Sequence, residues 1–413
     1  MADKDTHNRI FFHIDVNSAF LSWTSVDNLE RGVGEDLRLV PSIIGGDIAK
    51  RHGIVLAKSM PAKKFLIQTG EPIVNAMRKC PSLLSAPPNH ALYQEKSRQL
   101  FAYLSTICPD IEQLSIDECY MDYTPISHQY ESPLEAANAI RISVYETFGF
   151  TVNIGISDKK VLAKMASDFK KPNLVHTLYQ SEIQEKMWPL PVSALYMCGN
   201  SSTAVLHKLG IVTIGELAFA DPDILVSHLK SHGRLLWEYA NGYDDSLIST
   251  IPAAAKGIGN SITLTEDVIT IDAAQQALLH LSESVAARLR ADRHVATVVC
   301  VEIKYSTFQS VSHQANFPIA TNTTEDIYTL ACRLFHELWD LTPIRLLGIR
   351  ATKLIAEDNI PPQQLSLFDT VLPRSNEKQR QLDGAIDSIR QRYGSSSITR
   401  GSLLHTKDSF HKH

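Results

Sequence analysis

The chain has 413 residues, 44% hydrophobic and 21% charged, with 19 glycines and 19 prolines, which excludes a minimal module or a fibrous or disordered chain and sets an expectation of two to four globular domains. Forty basic residues against 45 acidic ones leave a net charge of −5, so nucleic acid would be gripped by local clusters rather than by a generally basic surface. Six cysteines stand singly without zinc-ligand spacing, residues 1–9 are polar, and no apolar run nears the roughly 20 residues that span a bilayer, so a cytoplasmic protein without disulfides, structural zinc or a membrane partner is expected.

Residues 9–14 form a short apolar run of strand type that meets Asp15, after which Asn17 and Ser18 are placed to cap a helix carrying Phe20, Leu21 and Trp23. A long insertion follows, with Gly45-Gly46, Lys63-Lys64 and a Pro-rich stretch at 86–88, enough chain for a small subdomain. Residues 111–116 and 119–124 read as two strands flanking Asp117 and Glu118. Ser132-Pro133-Leu134-Glu135 has the form of a capping box with proline in the first turn and opens a helix toward Phe148. A strand at 150–156 comes next, then Val161, Leu162, Met165 and Phe169 at helical spacing until Pro172. This order of elements suits an α+β sheet covered by helices.

Beyond Pro191 the texture changes to short helical pieces, with Thr213 and Glu216 forming a second capping box. Residues 251–257 read as a linker, and a helix over 274–289 and a strand over 296–305 open a further α+β unit that ends near Ile355. From Glu357 the composition turns polar, interrupted by Gln364-Leu365-Ser366-Leu367-Phe368, so the tail is expected to be a tether or a loosely packed helix.

The acids carry the chemistry. Asp15 ends one apolar run and Asp117-Glu118 lie between two others, so the three carboxylates converge if those strands are neighbours. Such a set can bridge two divalent cations about 3.5 to 4 Å apart, as phosphoryl transfer requires. Taken alone, Asp15 also reads as a helix cap and Asp117-Glu118 as a solvated turn.

Three segments sharpen the choice: Asp15-Val-Asn-Ser-Ala-Phe20, Leu114-Ser-Ile-Asp-Glu-Cys-Tyr120, and residues 155–168 followed by Lys171-Pro172. In order and separation they resemble three signatures of the Y-family DNA polymerases, over roughly residues 9 to 356. The resemblance implies a ferredoxin-like palm (1–27 and 86–185), a small fingers insertion (28–85), a helical thumb with a helix-hairpin-helix (186–250), a linker (251–256), an α+β little finger (257–356) and a C-terminal tail with a clamp-binding motif (357–413). It implies a monomeric, DNA-templated DNA polymerase that performs translesion synthesis by two-metal-ion nucleotidyl transfer, with low fidelity and no proofreading exonuclease. Primer-template DNA, deoxynucleoside triphosphates and two Mg2+ ions come with that reading.

The same resemblance implies roles for single residues. Asp15, Asp117 and Glu118 become the metal-binding and catalytic acids, with the carbonyl of Val16 as a further ligand. Phe20 takes the place of the ring beneath the nucleotide sugar that excludes a 2′ hydroxyl, and Lys160 the place of a lysine on the triphosphate. Lys63 stands where the family has a triphosphate-gripping arginine and cannot reproduce its bidentate geometry; Met60 replaces a tyrosine and receives no role. Residues 206–217 resemble part of the helix-hairpin-helix, whose amides hold DNA phosphates, although Cys198-Gly-Asn-Ser201 lacks the hairpin's second glycine. Lys304, Arg345, Arg350 and Lys353 are candidates for phosphate contact in the little finger. Gln364, Leu365, Leu367 and Phe368 resemble the peptide that docks on the bacterial sliding clamp. Two rivals stand beside this reading: a nucleotidyl cyclase on a similar sheet, against which Phe20, the helix-hairpin-helix and the tail argue, and a non-catalytic DNA- or clamp-binding regulator, against which the complete acidic trio argues.

Overall fold

The computed structural model describes residues 9–46, 53–251, 254–360, 377–394, 396–401 and 403. The chain divides into two units, Met1–Gly46 with Gly53–Pro252, and Asp47–His52 with Ala253–His413.

The first unit runs β1 (Phe11–Val16), α1 (Ala19–Glu30), β2 (Ser42–Gly45), β3 (Val55–Lys58), α2 (Met60–Lys63), α3 (Ile73–Lys79), β4 (Leu84–Ala86), α4 (His90–Ile107), β5 (Ile111–Gln113) and β6 (Glu118–Asp122). It continues with α5 (Pro133–Phe148), β7 (Val152–Ser157), α6 (Lys160–Ser167), β8 (Val175–Thr177), α7 (Ile183–Lys186), α8 (Asn200–Lys208), α9 (Ile214–Phe219), α10 (Pro222–Leu229) and α11 (Ser231–Ala240). Five strands form one sheet in the order β5-β6-β1-β7-β8, with β1 antiparallel to both of its neighbours. The insertion builds a separate sheet, β3-β2-β4.

Strand alternation gives β1 two different faces. Phe12, Ile14 and Val16 join Trp23, Leu100, Ile140 and Phe150 in a core shared with α1, α4 and α5. Phe11, His13 and Asp15 therefore point to the opposite face, where α6 lies. That helix is buried along its whole length, and Gly155 of β7 explains its close seat: a Cβ there would stand 2.0 Å from the Ala163 carbonyl oxygen and 2.5 Å from the Ser167 nitrogen.

Helix starts follow the capping chemistry at some sites and depart from it at others. The Thr213–Glu216 box at α9 is complete. At α5 the Ser132 hydroxyl accepts from the Glu135 amide at 3.1 Å, but the Glu135 carboxylate accepts from the Glu131 amide instead of closing the box. The expected cap of α1 is not made: Ser18 holds φ 48° with no side-chain capping bond, and its hydroxyl donates to the Lys58 carbonyl at 3.0 Å. Asn17 instead fastens β1 to β7, its side-chain amide donating to Asn153 Oδ1 at 3.1 Å while its own Oδ1 accepts from the Thr151 hydroxyl and from the Asn173 amide. Leu206, Ile211, Ile214 and Leu217 of the α8–α9 hairpin pack into one core with Leu225 and Leu236 of α10 and α11.

The second unit comprises β9 (Gly257–Val268), α12 (Ile271–Ala291), β10 (His294–Tyr305), β11 (Ser310–Thr321), α13 (Thr324–Leu338), β12 (Ile344–Ala356) and α14 (Glu377–Tyr393). Its antiparallel sheet has the order β11-β10-β12-β9. Apolar residues of α12 and α13, among them Leu278, Leu281, Leu334 and Phe335, bury one side of it.

For α14 the expectation of a tether or a loose helix is corrected. Asp383, 2% exposed, accepts from the Thr324 amide at 2.8 Å and pairs with Arg290 and Arg400, each at 3.3 Å. Arg290 also holds Asp387 at 2.7 Å, and Glu283 of α12 binds Arg390 and Arg400 at 3.2 and 2.8 Å. Paired charges dock this helix, so hydrophobic periodicity carries little sign of it. All six cysteines are free thiols, and among the described residues no helix is long and apolar enough to cross a membrane.

Candidate active site

The β1–β6 ladder sets Asp15 directly opposite Glu118, so the two side chains share a face. One position on, the Val16 amide donates to the Asp117 carbonyl at 3.0 Å, which holds Asp117 at the mouth of the same strand pair. The Asp117 carboxylate accepts from the Ser115 hydroxyl at 2.7 Å. Two distant stretches of sequence thus meet through backbone pairing before any side chain acts.

Because α6 crosses this face, it brings cations to the acids. The Lys164 ammonium donates to Glu118 and lies 3.6 Å from Asp168. Just beyond the helix, Lys171 donates to Asp15 at 2.6 Å and pairs with Asp168 at 2.8 Å. Neither lysine carries a role among the expectations from sequence, although both stand inside the third motif. The only local signal was Asp168, placed four residues after Lys164 and three before Lys171; the partners Glu118 and Asp15 are distant in sequence.

His13 is sealed beneath the acids. Its Nδ1 lies 2.8 Å from Ser167 Oγ, and its Nε2 lies 3.3 Å from Glu118 Oε2, short of a formed hydrogen bond. Burial pulls the imidazole below its usual range. Burial raises the Asp15 carboxyl above the usual carboxylate range, with Lys171 opposing. Glu118 moves the other way: the His13 contact first, then Lys164, outweigh burial and hold it at about 2. Burial also draws on Lys164 and Lys171, but the facing carboxylates prevail and keep both ammonium groups above their ordinary range. Neighbouring carboxylates are thus driven apart, one by desolvation and one by its partners.

Phe20 lies half-buried on α1 and stacks on Tyr93 of α4, centroids 4.3 Å apart and planes 7° from parallel, with His90 edge-on at 6.1 Å. The Tyr93 hydroxyl lies 3.0 Å from Thr24 Oγ1, which fixes the supporting ring. Lys63 and Met60 are exposed on α2, in the insertion. Lys160 is not brought to the acids: it donates to Glu112 at 2.6 Å and to the Leu247 carbonyl at 3.2 Å, and lies over the Tyr120 ring at 4.7 Å. Gln364, Leu365, Leu367 and Phe368 lie outside the described residues.

Three carboxylates on adjoining backbone positions are a hard-oxygen donor set, chemically suited to a divalent cation such as Mg2+. Asp15 and Glu118 are turned to ammonium groups and Asp117 to the Ser115 hydroxyl, and among the described residues no three His, Cys, Asp or Glu side chains are gathered as ready metal ligands. Coordination therefore requires Glu118 to swing away from Lys164 and Asp15 from Lys171.

Residues 14–168 match the impB/mucB/samB family model, and residues 255–367 match the C-terminal domain of that family. The chain belongs to this family. Every motif residue from Asp15 to Asp168 that carries the Y-family resemblance falls inside the first match. Among curated family members, a DNA polymerase IV of Clostridium acetobutylicum is 44% identical over 401 residues, covering 97% of this chain and 100% of the relative. Another, from Acetivibrio thermocellus, is 36% identical over 404 residues, covering 96% and 98%. A solved Y-family DNA polymerase chimera has the same fold, with a TM-score of 0.71 at 20% identity, over 84% of this chain and 99% of that one. The α+β class expected from the sequence is therefore the fold of this family member.

Proposed function

We propose that this family member is a DNA-directed DNA polymerase that extends primers past damaged template bases, with low fidelity and no proofreading exonuclease. The pairing of Asp15 with Glu118, with Asp117 bonded to Val16 beside them, carries the reading. The sheet bearing these acids serves as the palm (1–27 and 86–185), the insertion as fingers (28–85), the α8–α11 helices as thumb (186–250) and the β9–β12 unit as little finger (257–356), joined by a linker at 251–256.

Asp15, Asp117, Glu118 and the Val16 carbonyl would hold two Mg2+ ions, which when bound neutralise triphosphate charge and lower the pKa of the primer 3′ hydroxyl. The chain's own residues set the stage. Turning Asp15 toward a cation frees the Lys171 ammonium for a phosphate oxygen, and turning Glu118 does the same for Lys164. Phe20, braced by Tyr93, presents a rigid edge to the nucleotide sugar. Lys63 serves the triphosphate from the fingers. Lys160 would have to leave Glu112 and Leu247 to do so, whereas Lys171 already lies against Asp15. Gln364, Leu365, Leu367 and Phe368 would recruit a bacterial sliding clamp, and the protein would act as a monomer in the cytoplasm.

Primer extension with purified protein, one templated primer, deoxynucleotides and magnesium tests the reading. Templated extension is expected, and Asp117→Ala should abolish it while DNA binding persists. Binding without extension would indicate a regulator, and a cyclic nucleotide product would indicate a cyclase.

A further inference from the structure

We propose that His13 is a positioning residue for Glu118: its buried Nε2–H is a fixed donor that sets the orientation of this carboxylate. The inference rests on the polymerase reading for its consequence, and on geometry for its substance.

The ring has no freedom. It is 0% exposed, Ser167 Oγ holds Nδ1 at 2.8 Å, and the Tyr120 ring meets it edge-on at 5.0 Å. The helix carrying Ser167 is itself seated against Gly155. Nε2 is then a buried nitrogen without a completed hydrogen bond, aimed at Glu118 Oε2 from 3.3 Å. A carboxylate accepts and cannot donate, so a neutral ring that serves Glu118 carries its proton on Nε2; Nδ1 is then an acceptor, and the Ser167 hydroxyl must donate to it rather than to the Lys164 carbonyl that also lies 2.8 Å away.

The same Glu118 oxygen is taken by Lys164. That ammonium sits on a flexible four-carbon stem and can follow a phosphate away; the imidazole cannot. When Glu118 turns from Lys164, the 3.3 Å contact is the one left to close, and it fixes which oxygen faces outward. Such outer partners orient acidic ligands in the way second-layer groups do around metals.

Two variants separate positioning from packing. His13→Leu keeps apolar volume without a donor, and His13→Gln returns an amide N–H near the Nε2 position. We expect His13→Leu to lower kcat by about 10- to 100-fold, with KM for the nucleotide and DNA affinity unchanged, and His13→Gln to recover most of the loss. Nitrogen NMR on histidine-labelled protein gives a readout independent of turnover, with the His13 signal assigned by its loss in His13→Gln. Nε2 should be the protonated, pyrrole-type nitrogen and should shift in Glu118→Gln. Wild-type kcat in a cooperatively melting His13→Leu protein, equal losses in both variants, or an unprotonated Nε2 would overturn the proposal. If His13→Leu does not fold, the NMR assignment decides. If wild-type protein extends no primer, the polymerase reading fails while the His13–Glu118 contact is still read by NMR.

Discussion

The missing side chain of Gly155 and the carbonyl of Ala163 define the floor of the candidate site: a Cβ on one would stand 2.0 Å from the oxygen of the other. Since α6 carries Lys164 and Ser167, any retreat of the helix also withdraws the partners of Glu118 and His13. Gly155→Ala should destabilise the first unit toward the upper end of the roughly 1–3 kcal/mol typical of overpacking and depress extension together with it. Thermal melts and extension rates compared with wild type check this; an unchanged melt would mean the helix has slack that the structure does not show.

Asp15 and Glu118 should respond oppositely to loss of charge. The folded-state carboxyl of Asp15 is raised, so its contribution to stability is present below its usual value of 3.8 and is lost as pH rises through the raised one. Glu118 is depressed, so its contribution is present above 4.5 and is lost as pH falls through about 2. At neutral pH, Asp15→Asn should therefore melt no lower than wild type and Glu118→Gln lower, with neither extending primers. Melting temperatures from pH 7 to pH 2 test the signs, and the gap between Glu118→Gln and wild type should narrow across the acid end.

Ribonucleotide exclusion should depend on two rings rather than one. Phe20→Ala is expected to admit ribonucleotides far more readily, because the edge that meets the 2′ hydroxyl is gone. Tyr93→Leu should produce a weaker form of the same change by removing the ring stacked 4.3 Å behind it. Relative incorporation of ribo- and deoxynucleotides opposite one template base measures both. An unchanged ratio in Phe20→Ala with normal deoxynucleotide activity would return Phe20 to a packing role.

Deleting residues 364–368 should abolish clamp binding and clamp-stimulated synthesis while leaving unstimulated extension intact. Three apolar side chains at about 1.5–3 kcal/mol each when fully buried, less the ordering of the peptide, suffice for a short anchor. Equal clamp affinity in the deleted protein would reject the anchor, and loss of basal extension would indicate that these residues pack on the chain itself.

Much of this fold was legible because apolar runs and acids alternate in a simple way. The strands that meet Asp15 and Glu118 announce themselves by their flanks, and the helix starting after Ser132 by its cap. What escaped has a common cause. Lys171 finds Asp15, Lys160 finds Glu112 and Arg290 finds Asp383 across long stretches of chain, and no local spacing records such a pairing. Ser18 escaped differently: its residue type favours a cap, but its hydroxyl is drawn away by the Lys58 carbonyl of a strand in the insertion.

The docking of α14 bears on how the protein would survive cleavage. Arg380 of that helix pairs with Glu357 at 3.0 Å, which ties α14 to the residue that follows β12. In sequence, the proposed clamp peptide therefore falls between two elements that are tied to each other, not beyond the last of them. A protease that cut within residues 361–376 would leave the fragment beginning in that span held by Asp383, Asp387, Arg390 and Arg400. Such a nicked protein would run as two bands on a denaturing gel and as one particle in solution, its clamp peptide severed while both folded units stayed whole.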